Sequence, residues 1–143
     1  MSTTIELTQG TGADWFLQSL VRIANSSDSG FGITLQVSGM LVSGYLVSGR
    51  QYFEGFAADF SGLFDDTGAA GAIRDTLSAY GKIYDPQEDG EDIVQPQFIH
   101  LQDARFFSTA GHPVPGDGGV WWRGRLSGVG GFSLGRLSVI SED

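Results

Sequence analysis

The pentapeptide Gly131-Phe132-Ser133-Leu134-Gly135 has the form G-x-S-x-G, the spacing that holds a serine nucleophile on a sharp turn between a strand and a helix. Such a serine needs an acid and then a histidine later in the chain, yet only Glu142 and Asp143 follow and no histidine does. A glycine-rich turn accounts for the motif better than an esterase. Gly128, Gly130 and Gly131 suggest a phosphate-cradling loop, but no apolar-periodic helix follows to offer its N–H groups, and no Gly-Lys-Ser or Gly-Lys-Thr occurs. The absence of cysteine excludes a disulfide framework, a zinc ribbon and a thiol nucleophile. Two histidines alone argue against a metal site. His100, between Ile99 and Leu101, reads as a hydrogen-bonded strand residue. His112, in a Gly-Pro loop, has the exposure of a base, but neither Asp103 nor Asp117 is tied to it by spacing or motif. No catalytic residue, cofactor or metal ligand is expected, and the chain reads as a non-enzyme.

A different chemistry stands out between Gly118 and Ser138, where two adjacent tryptophans, three arginines and seven glycines fall within 21 residues of a chain of net charge -9. The setting is asymmetric. From Glu54 to Asp103 there are eleven acids against Arg74 and Lys82, and from Ala104 to Ile140 there are four arginines against Asp117. Opposed charge segments can support head-to-tail self-association, and the acidic belt disfavours nucleic acid over most of the surface. If Val120, Trp122 and Leu126 line the inside of a strand, then Trp121, Arg123 and Arg125 share the outside. Tryptophan and arginine are the side chains most enriched at binding hot spots, so these three form the candidate interaction site.

The elements that would position this site suggest an α+β fold in one domain over residues 1–143, a length that suits a single core. Asp14 can cap a helix over 14–26, where Phe16, Leu17, Leu20, Val21, Ile23 and Ala24 share a face. Bent strands follow over 31–49: Phe31, Ile33, Leu35 and Val37 alternate, and Val-Ser-Gly recurs at 37, 42 and 47, its glycines read as bends or bulges. An inserted two-helix segment spans 51–84, with apolar stripes Phe53, Phe56, Ala57, Phe60, Phe64 and Ile73, Leu77, Tyr80, Tyr84 expected in the core and Thr67 as a cap. An acidic loop, 85–96, leads to strands over 97–140. No apolar run reaches membrane-span length and the N-terminus has no leader pattern, so a cytoplasmic protein is expected.

Gly32 to Phe53, with its bent strands, and the Arg123-Gly124 step resemble a small Sm-like barrel, which would imply an RNA-binding ring as the alternative function. However, Arg50 and Glu54 stand where that family places an aspartate and an asparagine after the second strand, and a carboxylate there would repel phosphate. A longer resemblance covers Asp14 to Ser138. The run DWFLQSLVRIANSSDSGFGITLQVSGMLVSGYLVSG, then RQYFEGFAADF, then QPQFIHLQDARFFSTAGHPVPGDGGVWWRGRLSGVGGFSLGRLS is similar to the gas vesicle accessory protein GvpU family. That resemblance implies a cytoplasmic non-enzyme associated with gas vesicles, acting in their clustering or assembly through self-association. Its implied partners are the vesicle shell or other gas vesicle proteins, and further copies of itself as a homo-oligomer.

Overall fold

Asp14 opens the first helix by accepting the Phe16 N–H on its carboxylate, and Asp28, at φ +51, closes it by returning its own N–H to the Ala24 carbonyl. The computed structural model describes residues 12–85, 94–114 and 118–138. Within these, helix α1 (Trp15–Ser27) is followed by strands β1 (Phe31–Val37) and β2 (Met40–Val47), helices α2 (Gly49–Ser61) and α3 (Thr67–Ala79), a 3-10 turn (Tyr80–Tyr84), and strands β3 (Phe98–Ser108), β4 (Val120–Arg125) and β5 (Val129–Leu134). The strands pair antiparallel in the order β4-β3-β2-β1-β5. Of the two forms expected, an open bent sheet or a small barrel, the open sheet is the one that forms: it curls but does not close, and β4 and β5 are its edges.

The three Val-Ser-Gly steps do three different jobs. Ser38 and Gly39, at φ +49 and +79, make the two-residue β1–β2 hairpin turn, a pairing of left-handed residues suited to the twist of the strands. Gly44 lies at a bulge: the β2–β3 register shifts between Ser43 and Tyr45, and a Cβ at Gly44 would meet the Gln102 carbonyl and Ala104 backbone of β3. Opposite it, Asp103 takes a left-handed φ of +53, which an aspartate tolerates better than a branched residue. The third step ends β2. Ser48 and Gln51 form a reciprocal capping box that starts α2 two residues before the expected 51, so Arg50 and Glu54 are helical where the Sm-like family has a loop.

One face of the sheet packs on α1. Leu17, Val21 and Ala24 meet Ile33, Leu35, Val42, Leu46, Ile99, Leu101 and Leu126 in a dry core, with Trp122 half-buried against it. The opposite face is covered in two pieces. Helix α2 lies over its β3–β4 side, and the segment Gly135–Ser138, expected to continue as strand, instead crosses β1 and β2. There Thr34 Oγ1 donates to the Gly135 carbonyl, the Leu137 N–H donates to Ser43 Oγ, and Arg136 stacks on Tyr45 and pairs with Asp103. The expected strand residues Val139 and Ile140 lie outside the described residues, as does most of the acidic loop.

The two helical stripes expected in the core lie largely outside it. In α2 only Tyr52 and Ala57 of the apolar face are buried, whereas Phe60 and Phe64 are exposed, and α3 has no buried residue. Beyond Ala57 the helix parts from the sheet across a cleft, where Phe60 and Leu63 stand opposite Gln102, Asp103 and Val120 without packing on them. Helix α3 then packs chiefly on α2 rather than on the sheet. Thr67 is its first residue; Asp66 is the cap, accepting from the N–H groups of Gly68 and Ala69.

Candidate interaction surface

Strand alternation places Trp121 and Arg123 on the α2 face of the sheet and Trp122 on the α1 face, with Leu126 buried beyond the strand end. Val120, expected inside, is half-exposed at the start of the edge strand. The face expected to be open to solvent is partly roofed. Gly55 of α2 sits directly on the Trp121 indole, leaving no room for a Cβ, and Tyr52 meets the same ring edge-on at 6.1 Å between centroids. Trp121 is therefore half-buried, its outer part lining a cleft of about 530 Å³ with Phe56, Phe60, Leu63 and Val120. Arg125, at the end of β4, is exposed, with its guanidinium 5.7 Å from the Phe98 ring.

Arg123 is held more firmly. Its guanidinium lies 3.7 Å from the Phe98 ring centroid and 5.4 Å from that of Phe53, a sandwich that orients the planar cation. One of its nitrogens donates to Tyr84 Oη at 3.2 Å and bonds His100 Nε2 at 3.0 Å. Arginine can only donate, so His100 Nε2 accepts and the imidazole proton resides on Nδ1. That Nδ1, in a side chain 1% exposed, finds no acceptor among the described residues. The ring is packed among Tyr52, Phe53 and Tyr84.

This enclosure fixes the charge of His100. Burial, and secondarily the positive Arg123, push its pKa down to about 3. The unfolded chain takes up a proton near pH 6.5 that the folded chain refuses, so the stability is present in full above that pH and drains away as pH falls toward 3. From pH 7 to pH 5 the expected loss is about 2 kcal/mol. Thermal unfolding at the two pH values should show this drop, and His100→Leu should flatten it. A variant with the wild-type pH slope would acquit His100.

The model of the gas vesicle protein GvpU-like family matches residues 14–137, from the cap of α1 to the segment that crosses the sheet. The chain belongs to the GvpU-like family of gas vesicle proteins. No curated protein and no solved structure matches it. In this member of the GvpU-like family, the residues that could have suggested an enzyme lie in an edge strand, a short turn and a loop. Ser133 lies exposed in edge strand β5, and the chain turns at Gly135, φ +100, to cross the sheet rather than to enter a helix. Gly128 closes a short 3-10 turn, and Gly130 and Gly131 are strand residues. The backbone of His112 exchanges hydrogen bonds with Ser108, and no acid bonds its ring among the described residues. Among those residues, no group of acids and histidines could hold a metal ion, and no helix is long and apolar enough to cross a membrane.

Two further apolar features were missed by sequence reasoning. One is the α2–α3 corner, where Leu63 and Phe64 project into solvent, 76% and 41% exposed. The other is a second cleft, of about 670 Å³, between α1, the 3-10 turn and the start of β3, lined by Arg22, Ile23, Ile83, Val94, Phe98 and Arg123 among others. The corner belongs to a periodic stripe that looks like core. The cleft joins four stretches far apart in sequence, and no local signal could assemble it.

Proposed function

We propose that this protein associates with gas vesicles and gathers them into clusters or assemblies by self-association, with Trp121, Arg123 and Arg125 on edge strand β4 forming the contact surface. The observation that carries the reading is the family match across nearly the whole folded chain. A clustering protein needs at least two adhesive sites per particle, whether on one molecule or on an oligomer. The β4 edge supports a contact role because it combines a strand with one unpaired side, a half-exposed indole and two arginines, one of them oriented by aromatic rings. Its partners would be the vesicle shell or other gas vesicle proteins, in the cytoplasm.

Flotation with isolated gas vesicles tests this reading. Wild-type protein is expected to rise with the vesicles and to bring them together, as seen by light scattering of the floating layer. Arg125→Glu reverses an exposed charge outside the core, so its melting temperature should stay within about 2 °C of wild type, since surface changes cost little. Its co-flotation should fall at least several-fold. Protein that stays in the infranatant at every salt concentration would overturn the association itself.

A further inference from the structure

Arg22 and Arg123 line the second cleft, and neither meets a carboxylate within ion-pair distance among the described residues, although the chain carries more than twice as many acids as basic residues. The one aspartate in the cleft lining, Asp85, is engaged by Arg50 at 3.5 Å. Between the two arginines runs an apolar wall in which Ile23, Ile83 and Val94 are 55%, 77% and 72% exposed. A half-buried arginine pinned between aromatic rings has already lost its side-chain freedom, so an arriving carboxylate would bind it at little further entropic cost. The cleft thus suits a ligand that presents large apolar side chains next to a negative charge.

The chain carries such a group on its own surface. At the α2–α3 corner, the exposed Leu63 and Phe64 are followed by Asp65 and Asp66; Asp66 is occupied in capping α3, and Asp65 forms no ion pair among the described residues. The corner lies at the C-terminal end of α2. The cleft lies beyond the N-terminal end, where Asn25 of α1 caps the Gly49 N–H and Arg50 reaches Asp85. Thirteen residues of α2 separate the two by about 20 Å. We propose that the Leu63-Phe64-Asp65 corner of one molecule seats in the Arg22–Arg123 cleft of a second copy, joining molecules head to tail.

A contact between two different surfaces need not close on itself, and repeated head to tail it builds chains of rising valence. It gives the self-association of the proposed function a route, and in that respect it rests on that reading. Opposite charges at the rims also set its direction: corner against corner would bring Asp65 near Asp65, and cleft against cleft would face arginines with arginines.

Two double variants test it, at the exposed Leu63, Asp65 and Ile83 and the half-buried Arg22. Leu63→Lys with Asp65→Lys spoils the corner and leaves the cleft intact; Arg22→Glu with Ile83→Glu spoils the cleft and leaves the corner. In sedimentation velocity over a wide concentration range, wild-type protein is expected to form a concentration-dependent series of oligomers, and each variant alone to remain monomeric. An equimolar mixture of the two should form a dimer and nothing larger, because only one corner and one matching cleft remain intact. Circular dichroism melts confirm folding, and Leu63→Ser and Ile83→Ser replace any variant that fails to fold. A monomeric wild type, wild-type oligomers in either variant, or a mixture that stays monomeric would each overturn the contact. Vesicle flotation run in parallel separates the two readings: wild-type protein that assembles without floating refutes the vesicle association while the contact stands, and protein that floats while both variants still oligomerise refutes only the contact.

Discussion

Leu101→Ala is expected to lower the stability of the fold by about 3–4 kcal/mol. Leu101 is fully buried, and it lies at the middle of the sheet's inner face, paired with Leu46 of β2 on one side and Trp122 of β4 on the other. Replacing its isobutyl group by methyl forfeits the transfer free energy of three carbons and leaves a hole whose walls are β-strands and α1, which cannot collapse into it independently. Such a loss would be a large part of a total that runs from about 5 to 15 kcal/mol in ordinary domains. Leu134→Ala supplies the control. Leu134 is 72% exposed on edge strand β5, and its truncation should cost less than about 0.5 kcal/mol. Urea unfolding of the two variants, read through the midpoint with an unchanged slope, measures the difference. A Leu101→Ala cost below about 1 kcal/mol would mean that the sheet and α1 do not share one core.

The parts of this fold that were legible in the sequence are those in which one element declares its own period. The α1 stripe and its Asp14 cap fix the helix to within a residue, and the alternation of β1 fixes Phe31–Val37. Apolar periodicity reports which side chains share a face, but not what covers that face. Phe53, Phe56, Phe60 and Phe64 do line one side of the α2 region, yet how much of it meets the sheet depends on where the sheet ends, and that depends on the long-range pairing of β3 with β4. The same ambiguity affects the tryptophan pair. Alternation puts Trp121 and Trp122 on opposite faces, as expected, but it cannot reveal that α2 returns to cover part of the outer one. The glycines of the three Val-Ser-Gly steps carry the same signal for a turn, a bulge and a helix start; only the partner strand and the capping side chains distinguish them.

That roofing changes what the candidate site can do. A tryptophan standing free beside two arginines would be an adhesive ledge with no part in stability. With Gly55 resting on its ring, Trp121 both holds α2 to β4 and offers its outer edge to the Phe56–Phe60 cleft. Arg123 is similarly shared, bonding His100 and Tyr84 inside while lining the second cleft outside. Only Arg125 stands clear of the fold's interior, which is why its reversal, rather than truncation of Trp121, separates contact from folding.

Gly55→Leu should therefore cost about 3 kcal/mol or somewhat more, although Gly55 lies in a helix where leucine has the better intrinsic propensity by up to about 1 kcal/mol. The sign is decided by space. A Cβ at this position would overlap the Trp121 indole, so a leucine is accommodated only if the indole is displaced or α2 lifts from the sheet. Lifting α2 also separates Tyr52 and Phe53 from His100 and Arg123, so the loss extends beyond one contact. Trp121→Ala alone should cost about 2–3 kcal/mol, below the 3–5 typical of a fully buried tryptophan, because its outer part is already wet. Combined, the two changes should cost less than the sum of the single changes by at least 1 kcal/mol, since the space vacated by the indole receives the leucine. A strictly additive double variant would mean that α2 does not rest on Trp121, and the indole would then be free to act wholly as the surface ledge that the strand pattern alone describes.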